Sequence, residues 1–250
     1  MILVIIDFDN YFRDNEINDP QKFELALTEI VEKCETNFEN FNEISIRLYG
    51  GWYQGITLTK QASILQQQLS QISIFPKIKN NNRINGNIEM VSSLFEIPNI
   101  QWYHTYKEKN GIGRVRINHD LVDDFCTQNK EQCPKFILYK FTAGKDKQCH
   151  IQNCTHIHKD VFKGVEQKMV DTMIACDVVS ATNDDKVKGI FVLSDDQDHF
   201  PSYAIASEQL KQKENSFQIL LGIKNNDESR KELIETLLNP FSNIKIISML

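Results

Sequence analysis

Apolar residues along this chain fall into short solid runs and longer periodic stretches. Ile2 to Ile6 is an uninterrupted apolar run rich in β-branched residues, the pattern of a strand buried on both faces. Phe23, Leu25, Leu27, Ile30, Val31 and Cys34 then recur at helical spacing. A second strand is predicted from Ile44 to Tyr49, ending at the Gly50-Gly51 turn. Leu58 to Ile72 predicts a helix with Leu58, Ala62, Leu65 and Leu69 on one face. The polar, basic, Asn-rich stretch 77–86 reads as a loop, and 97–118 as strand and hairpin turning near 109–113. Further on, helices are predicted over 165–179, 203–213 and 228–238, and strands over 189–193, 217–223 and 244–248.

Strands and helices in alternation imply an α/β fold of three layers, Rossmann-like, with a mostly parallel central sheet flanked by helices. The 250 residues suit one domain, 1–250, with an inserted Cys- and His-containing loop region over about 126–164. No apolar run approaches the ~20 residues that span a bilayer. Ile2 to Ile6 lacks a basic leader and is too short for a signal peptide, so a cytoplasmic protein is expected, without disulfides. The net charge of −6 argues against coating nucleic acid by bulk charge. It leaves room for an enzyme whose surplus carboxylates hold cations.

In open parallel sheets, ligands bind beyond the carboxyl ends of the strands. Two predicted strands run into acid there: the first into Asp7-Phe8-Asp9-Asn10, and 190–193 into Ser194-Asp195-Asp196-Gln197-Asp198-His199. Asp and Asn also favour solvated turns, so either cluster alone is ambiguous. Clustered carboxylates raise one another's pKa, and a divalent cation relieves the repulsion; oxygen-rich sites suit Mg²⁺ or Mn²⁺. A third group, Lys168-Met-Val-Asp171 running on to Asp177, reads alone as a surface ion pair on a helix.

Together the segments IIDFDN, KMVDTMIACD and VLSDDQDHFP, in that order, resemble the NYN domain of the PIN-like ribonuclease superfamily. The resemblance covers residues 1 to about 55 and 165–250, and the middle matches poorly. It implies a PIN-like fold and a metal-dependent phosphodiesterase acting on nucleic acid, RNA more than DNA. Asp7, Asp171, Asp196 and Asp198 match the family's acidic catalytic, metal-binding positions; Asn10, Lys168, Asp177 and Ser194 match its supporting positions. Two residues depart from the pattern: Asp195 stands for a glycine and His199 for an aromatic. The implied chemistry uses Mg²⁺ or Mn²⁺ to activate a water and stabilise charge on the phosphate.

The middle of the chain carries a second possible metal set. Cys133, Cys149, Cys154 and His156 are candidates for a structural Zn²⁺, although their spacing fits no standard finger and Cys126 and His150 add ambiguity. The alternative is a polar loop with incidental His and buried Cys. Lys77, Lys79 and Arg83, the 107–116 hairpin, and Trp52, Trp102, Tyr103 and Tyr106 are possible substrate contacts, each equally readable as core or solvated face. Two rival functions compete. A haloacid-dehalogenase-like phosphatase would use Asp7-Phe8-Asp9, Lys168 and Asp195-Asp196, but expects Thr or Val where Tyr11 stands and does not predict Asp171. A non-catalytic RNA-binding module would not require the full acidic set. No Gly-rich phosphate loop is present.

Overall fold

The computed structural model describes residues 1–12, 19–79, 82–111, 124–143, 146–149, 153–194, 196–211, 217–224 and 228–249. They form two compact units, 1–105 with 167–250, and 106–166. The first unit begins with β1 (Ile2–Asp7), α1 (Phe8–Tyr11), α2 (Pro20–Asn37), β2 (Glu43–Tyr49), the short β3 (Tyr53–Gln54) and β4 (Thr57–Leu58), α3 (Lys60–Leu69), β5 (Lys77–Lys79) and β6 (Asn82–Met90). The second unit carries β7 (Tyr106–Asn110), α4 (Asp124–Gln128), α5 (Pro134–Thr142), α6 (His158–Val161) and β8 (Lys163–Gln167), β8 reaching its boundary. The first unit then resumes with α7 (Val170–Ala181), β9 (Gly189–Leu193), a 3₁₀ turn (Gln197–His199), α8 (Phe200–Lys211), β10 (Gln218–Lys224), α9 (Glu228–Leu238) and β11 (Ile244–Met249).

The fold is α/β. Seven strands lie in the order β11-β10-β9-β1-β2-β6-β5, all parallel except the edge strand β5. The central position of β1 follows from its sequence: Ile2 to Ile6 are all fully buried. Ile2, Val4 and Ile6 face one core with Phe23, Leu27 and Ile30 of α2 and Leu65 of α3. Leu3 and Ile5 face the other, with Met173 and Ile174 of α7, Tyr203 of α8 and Ile234 of α9. Helix α2 starts where Asp19 accepts hydrogen bonds from the amides of Gln21 and Lys22, with Pro20 in the first turn. No described helix is long and apolar enough to cross a membrane.

Several local expectations change, among them Leu58, which lies in β4 ahead of α3 rather than on its face. Leu25 is 68% exposed, because it sits two positions from both Phe23 and Leu27 and so points away from their face. Within the expected loop 77–86, residues 77–79 form β5 and pair antiparallel with β6, which starts at Asn82 and joins the sheet beside β2, Ile88 opposite Ile46. Its polar run is tolerated near the sheet edge, where alternate residues such as Ile84 turn inward. Gly86 is needed there, since a Cβ would lie 2.6 Å from the Phe75 ring. The helix expected from Val165 begins at Val170 instead. Residues 163–167 form β8 against β7, and Met169 takes a left-handed conformation (φ 66°) before the helix. Lys168 therefore precedes the helix that carries Asp171. Of the strand and hairpin expected over 97–118, residues 106–110 form β7, which pairs with β8; 97–105 contribute no strand beyond an isolated bridge of Gln101 to Ser93, and 112–118 lie outside the described residues.

Candidate metal centre

Parallel pairing of β1 with β9, Ile6 beside Leu193, brings the two acidic strand ends side by side. Asp7 closes β1 and is only 6% exposed; Ser194 follows β9 and is also buried. The Ser194 hydroxyl donates to Asp7 Oδ2 at 3.2 Å and accepts from the Asp196 amide at 3.2 Å. Asp196 caps the 3₁₀ turn, its Oδ1 accepting from the Asp198 amide at 3.0 Å. That turn delivers His199 to the interior, 1% exposed, with Nε2 3.6 Å from Asp7 Oδ2.

Helix α7 completes the arrangement. Val170, Met173, Ile174, Val178 and Ala181 anchor its apolar face, leaving Asp171 exposed in the first turn. One ligand atom from each of Asp7, Asp171 and His199 lies within 4.8 Å of the other two. Partial desolvation of its carboxyl raises the Asp171 pKa; Asp7, Asp196 and Asp198 add repulsion, while His199 pulls the other way. Of the four acids singled out in the sequence, Asp7 and Asp171 belong to this close group; Asp196 and Asp198 do not, although both act electrostatically on Asp171. Asp9 stands beside it, its carboxylate held by the Gln167 side-chain amide. Burial raises its pKa as well, opposed by its hydrogen bonds and supported by Asp7.

The donor set fits a cation. Neither ring nitrogen of His199 has a hydrogen-bond partner among the described residues. Leaving a buried polar atom unsatisfied costs about 1–3 kcal/mol, which coordination would recover. Carboxylate repulsion is relieved by the same ion. In the sequence His199 stands out only as a departure from the family pattern; its nearness to Asp196 and Asp198, just past a buried strand, is the signal it offers.

The supporting positions divide. Ser194 orients Asp7, as above. Asn10 is exposed in α1, and the Lys168 amide donates to the Thr105 carbonyl at 3.0 Å. Asp177 is fully buried within a different network. It accepts from the Tyr49 hydroxyl and, at 2.8 Å, from the Phe95 amide, and it pairs with Arg47 at 3.2 Å. Burial pushes the Asp177 carboxyl upward against the pull of Arg47.

In the second unit, Cys133, Cys149, Cys154 and His156 form no group of converging ligand atoms; among the described residues the only such group is Asp7, Asp171 and His199. Cys133 is buried at the start of α5, and the Cys149 amide donates to the His156 carbonyl at 3.0 Å. Asp195, His150 and the Cys126 side chain lie outside the described residues. Of the aromatics, Trp52 is core, its indole donating to the Leu48 carbonyl, whereas Trp102 is 37% exposed. Lys77 is engaged by Glu32 and Glu35.

No protein-family model, curated protein or solved structure matches the chain.

Proposed function

We propose that this chain is a metal-dependent nuclease of NYN type, hydrolysing phosphodiester bonds, in RNA in preference to DNA. The observation that carries the reading is the convergence of Asp7, Asp171 and His199 at the carboxyl ends of β1 and β9. The order of the three segments that resemble the NYN domain adds to it. A divalent cation there would supply charge stabilisation for the attacked phosphate and a water of lowered pKa. The chain's own groups do the rest. Asp7 and Asp171 would hold the ion, Ser194 fixes the Asp7 carboxylate, and Asp196 and Asp198 add negative potential around Asp171.

The substrate class draws support from the distribution of charge. Residues 106–166 carry 11 Lys and Arg against 8 Asp and Glu, whereas the rest of the chain carries 17 against 26. Within that unit Lys130, Lys140 and Lys147 line a cavity of about 460 Å³ together with Glu131, Ile137, Phe141 and Gln148. Ammonium groups beside an aromatic ring suit a phosphate backbone and a base.

The test is cleavage of labelled single-stranded RNA with Mn²⁺ or Mg²⁺, comparing wild type with Asp7→Asn and Asp196→Asn. Asn is as good a cap as Asp, so Asp196→Asn removes charge while keeping the turn. Metal-dependent cutting by wild type and none by either variant is expected. Equal cutting by all three proteins would sink the assignment.

A second reading, a haloacid-dehalogenase-like phosphatase, draws on one observation: the Asp9 carboxylate, two residues after Asp7 at the end of β1, is held beside the same locus by the Gln167 side-chain amide, as a positioned general acid would be. It predicts turnover of an aryl phosphate that is lost in Asp9→Asn; the nuclease reading predicts none.

A further inference from the structure

We propose that His199 is itself a metal ligand, so that the acidic centre selects first-row transition dications such as Co²⁺, Zn²⁺ and Mn²⁺ over Mg²⁺. The inference rests on the metal site proposed above and concerns which ion occupies it.

The imidazole is placed as a ligand would be. It is 1% exposed, yet neither nitrogen has a hydrogen-bond partner among the described residues. The ring is not merely filling space beside Tyr203, whose centroid is 6.4 Å away at a tilt of 46°. Its Nε2 is directed at the Asp7 carboxylate, but 3.6 Å is too long for a hydrogen bond. That separation suits two ligands of one ion. Donors ~2.1 Å from a tetrahedral centre stand about 3.4 Å apart. The third donor, an Asp171 oxygen, lies within 4.8 Å of both.

An imidazole changes which ion is preferred. Mg²⁺ is a hard ion that takes oxygen ligands and keeps several waters, so a nitrogen donor adds little to its binding. Imidazole suits borderline first-row ions, whose affinity for nitrogen-containing sites climbs through the series. Two carboxylates alone would serve Mg²⁺; two carboxylates and a dry imidazole favour the first-row transition ions over it. The aromatic residue that the NYN pattern places at this position would fill the same space without donating. His199→Phe therefore reverts the donor set while preserving the packing against Tyr203.

The experiment uses the full chain, freed of metal by a chelator. Affinities for Co²⁺, Zn²⁺, Mn²⁺ and Mg²⁺ are measured by calorimetry for wild type, His199→Phe and Asp7→Asn. Mn²⁺-loaded wild type is also examined by electron spin-echo envelope modulation, which reports a directly bound ¹⁴N. The proposal expects ¹⁴N modulation in wild type and its absence in His199→Phe. It also expects Co²⁺ and Zn²⁺ binding weakened by on the order of 10-fold or more in that variant, with Mg²⁺ binding unchanged. Should wild type bind Mn²⁺ without ¹⁴N modulation, while Asp7→Asn loses the ion, the inference fails and the acidic site stands. Failure of wild type to bind any of the four ions would overturn both. The wild-type spectrum needs no variant to fold.

Discussion

Arg47→Met isolates the buried ion network from the candidate metal centre. Arg47 and Asp177 are 4% and 0% exposed, and the guanidinium pairs with Asp177 at 3.2 Å while donating to the Tyr49 hydroxyl at 3.0 Å. Methionine keeps much of the volume and removes the cation. Asp177 then keeps only its bonds from Tyr49 and the Phe95 amide. Breaking a buried pair by removing one partner costs about 3–5 kcal/mol, because a charge is left uncompensated in the interior. For a chain of this length that lowers Tm by about 6–20 °C. The pH dependence carries the sharper test. Burial already holds the Asp177 carboxyl above its ordinary value, and Arg47 opposes that shift. Without Arg47 the folded pKa rises further above the unfolded value of ~3.9. A carboxyl with a raised folded pKa incurs no penalty while both states are protonated. The penalty accumulates as pH climbs from the unfolded pKa to the folded one. The deficit against wild type should therefore be smallest near pH 4 and grow towards neutrality. Urea unfolding at several pH values reads it directly, and Arg47→Met/Asp177→Leu should recover part of the loss. A deficit below about 1 kcal/mol at neutral pH, or one that shrinks as pH rises, would refute the account.

Other outcomes follow from single sites. Mn²⁺ at about 100 times its Kd should stabilise wild type by about 2.7 kcal/mol, read as a rise in Tm, and should leave Asp7→Asn unmoved; an equal rise in both would place the ion elsewhere. Gly222→Ala should destabilise by about 1–3 kcal/mol in a denaturant melt, since a Cβ on β10 would meet Leu193 at 2.5 Å, Phe191 at 2.9 Å and Met249 at 3.1 Å. Alkylation of the native protein, followed by peptide mass mapping, should modify exposed Cys176 and spare Cys34, which is fully buried and whose thiol burial pushes far up; labelling of Cys34 before unfolding would contradict its burial.

What the sequence discloses depends on whether a residue's surroundings are fixed by its own pattern and strand position or by a particular distant partner. β1 was legible because a strand enclosed on both faces must be apolar throughout, and Ile2 to Ile6 are. β6 was not, because a strand near the sheet edge needs only alternate residues inward, and Asn82, Arg83 and Asn85 disguise it as a loop. The acidic strand ends were legible as candidates because topology puts the ends of β1 and β9 together, and parallel pairing then sets Ser194 against Asp7. Asp177 and His199 show what spacing alone leaves open. Both are buried, polar and close in sequence to acids of the candidate centre. Asp177 is claimed by Arg47 and Tyr49, whose strand lies far earlier in the chain, so its charge is spent on holding α7 against β2. Among the described residues His199 has no such claimant, and it faces Asp7 instead. The same physical requirement, that a buried polar group find a partner, thus gives Asp177 a role in the fold and leaves His199 available to an ion.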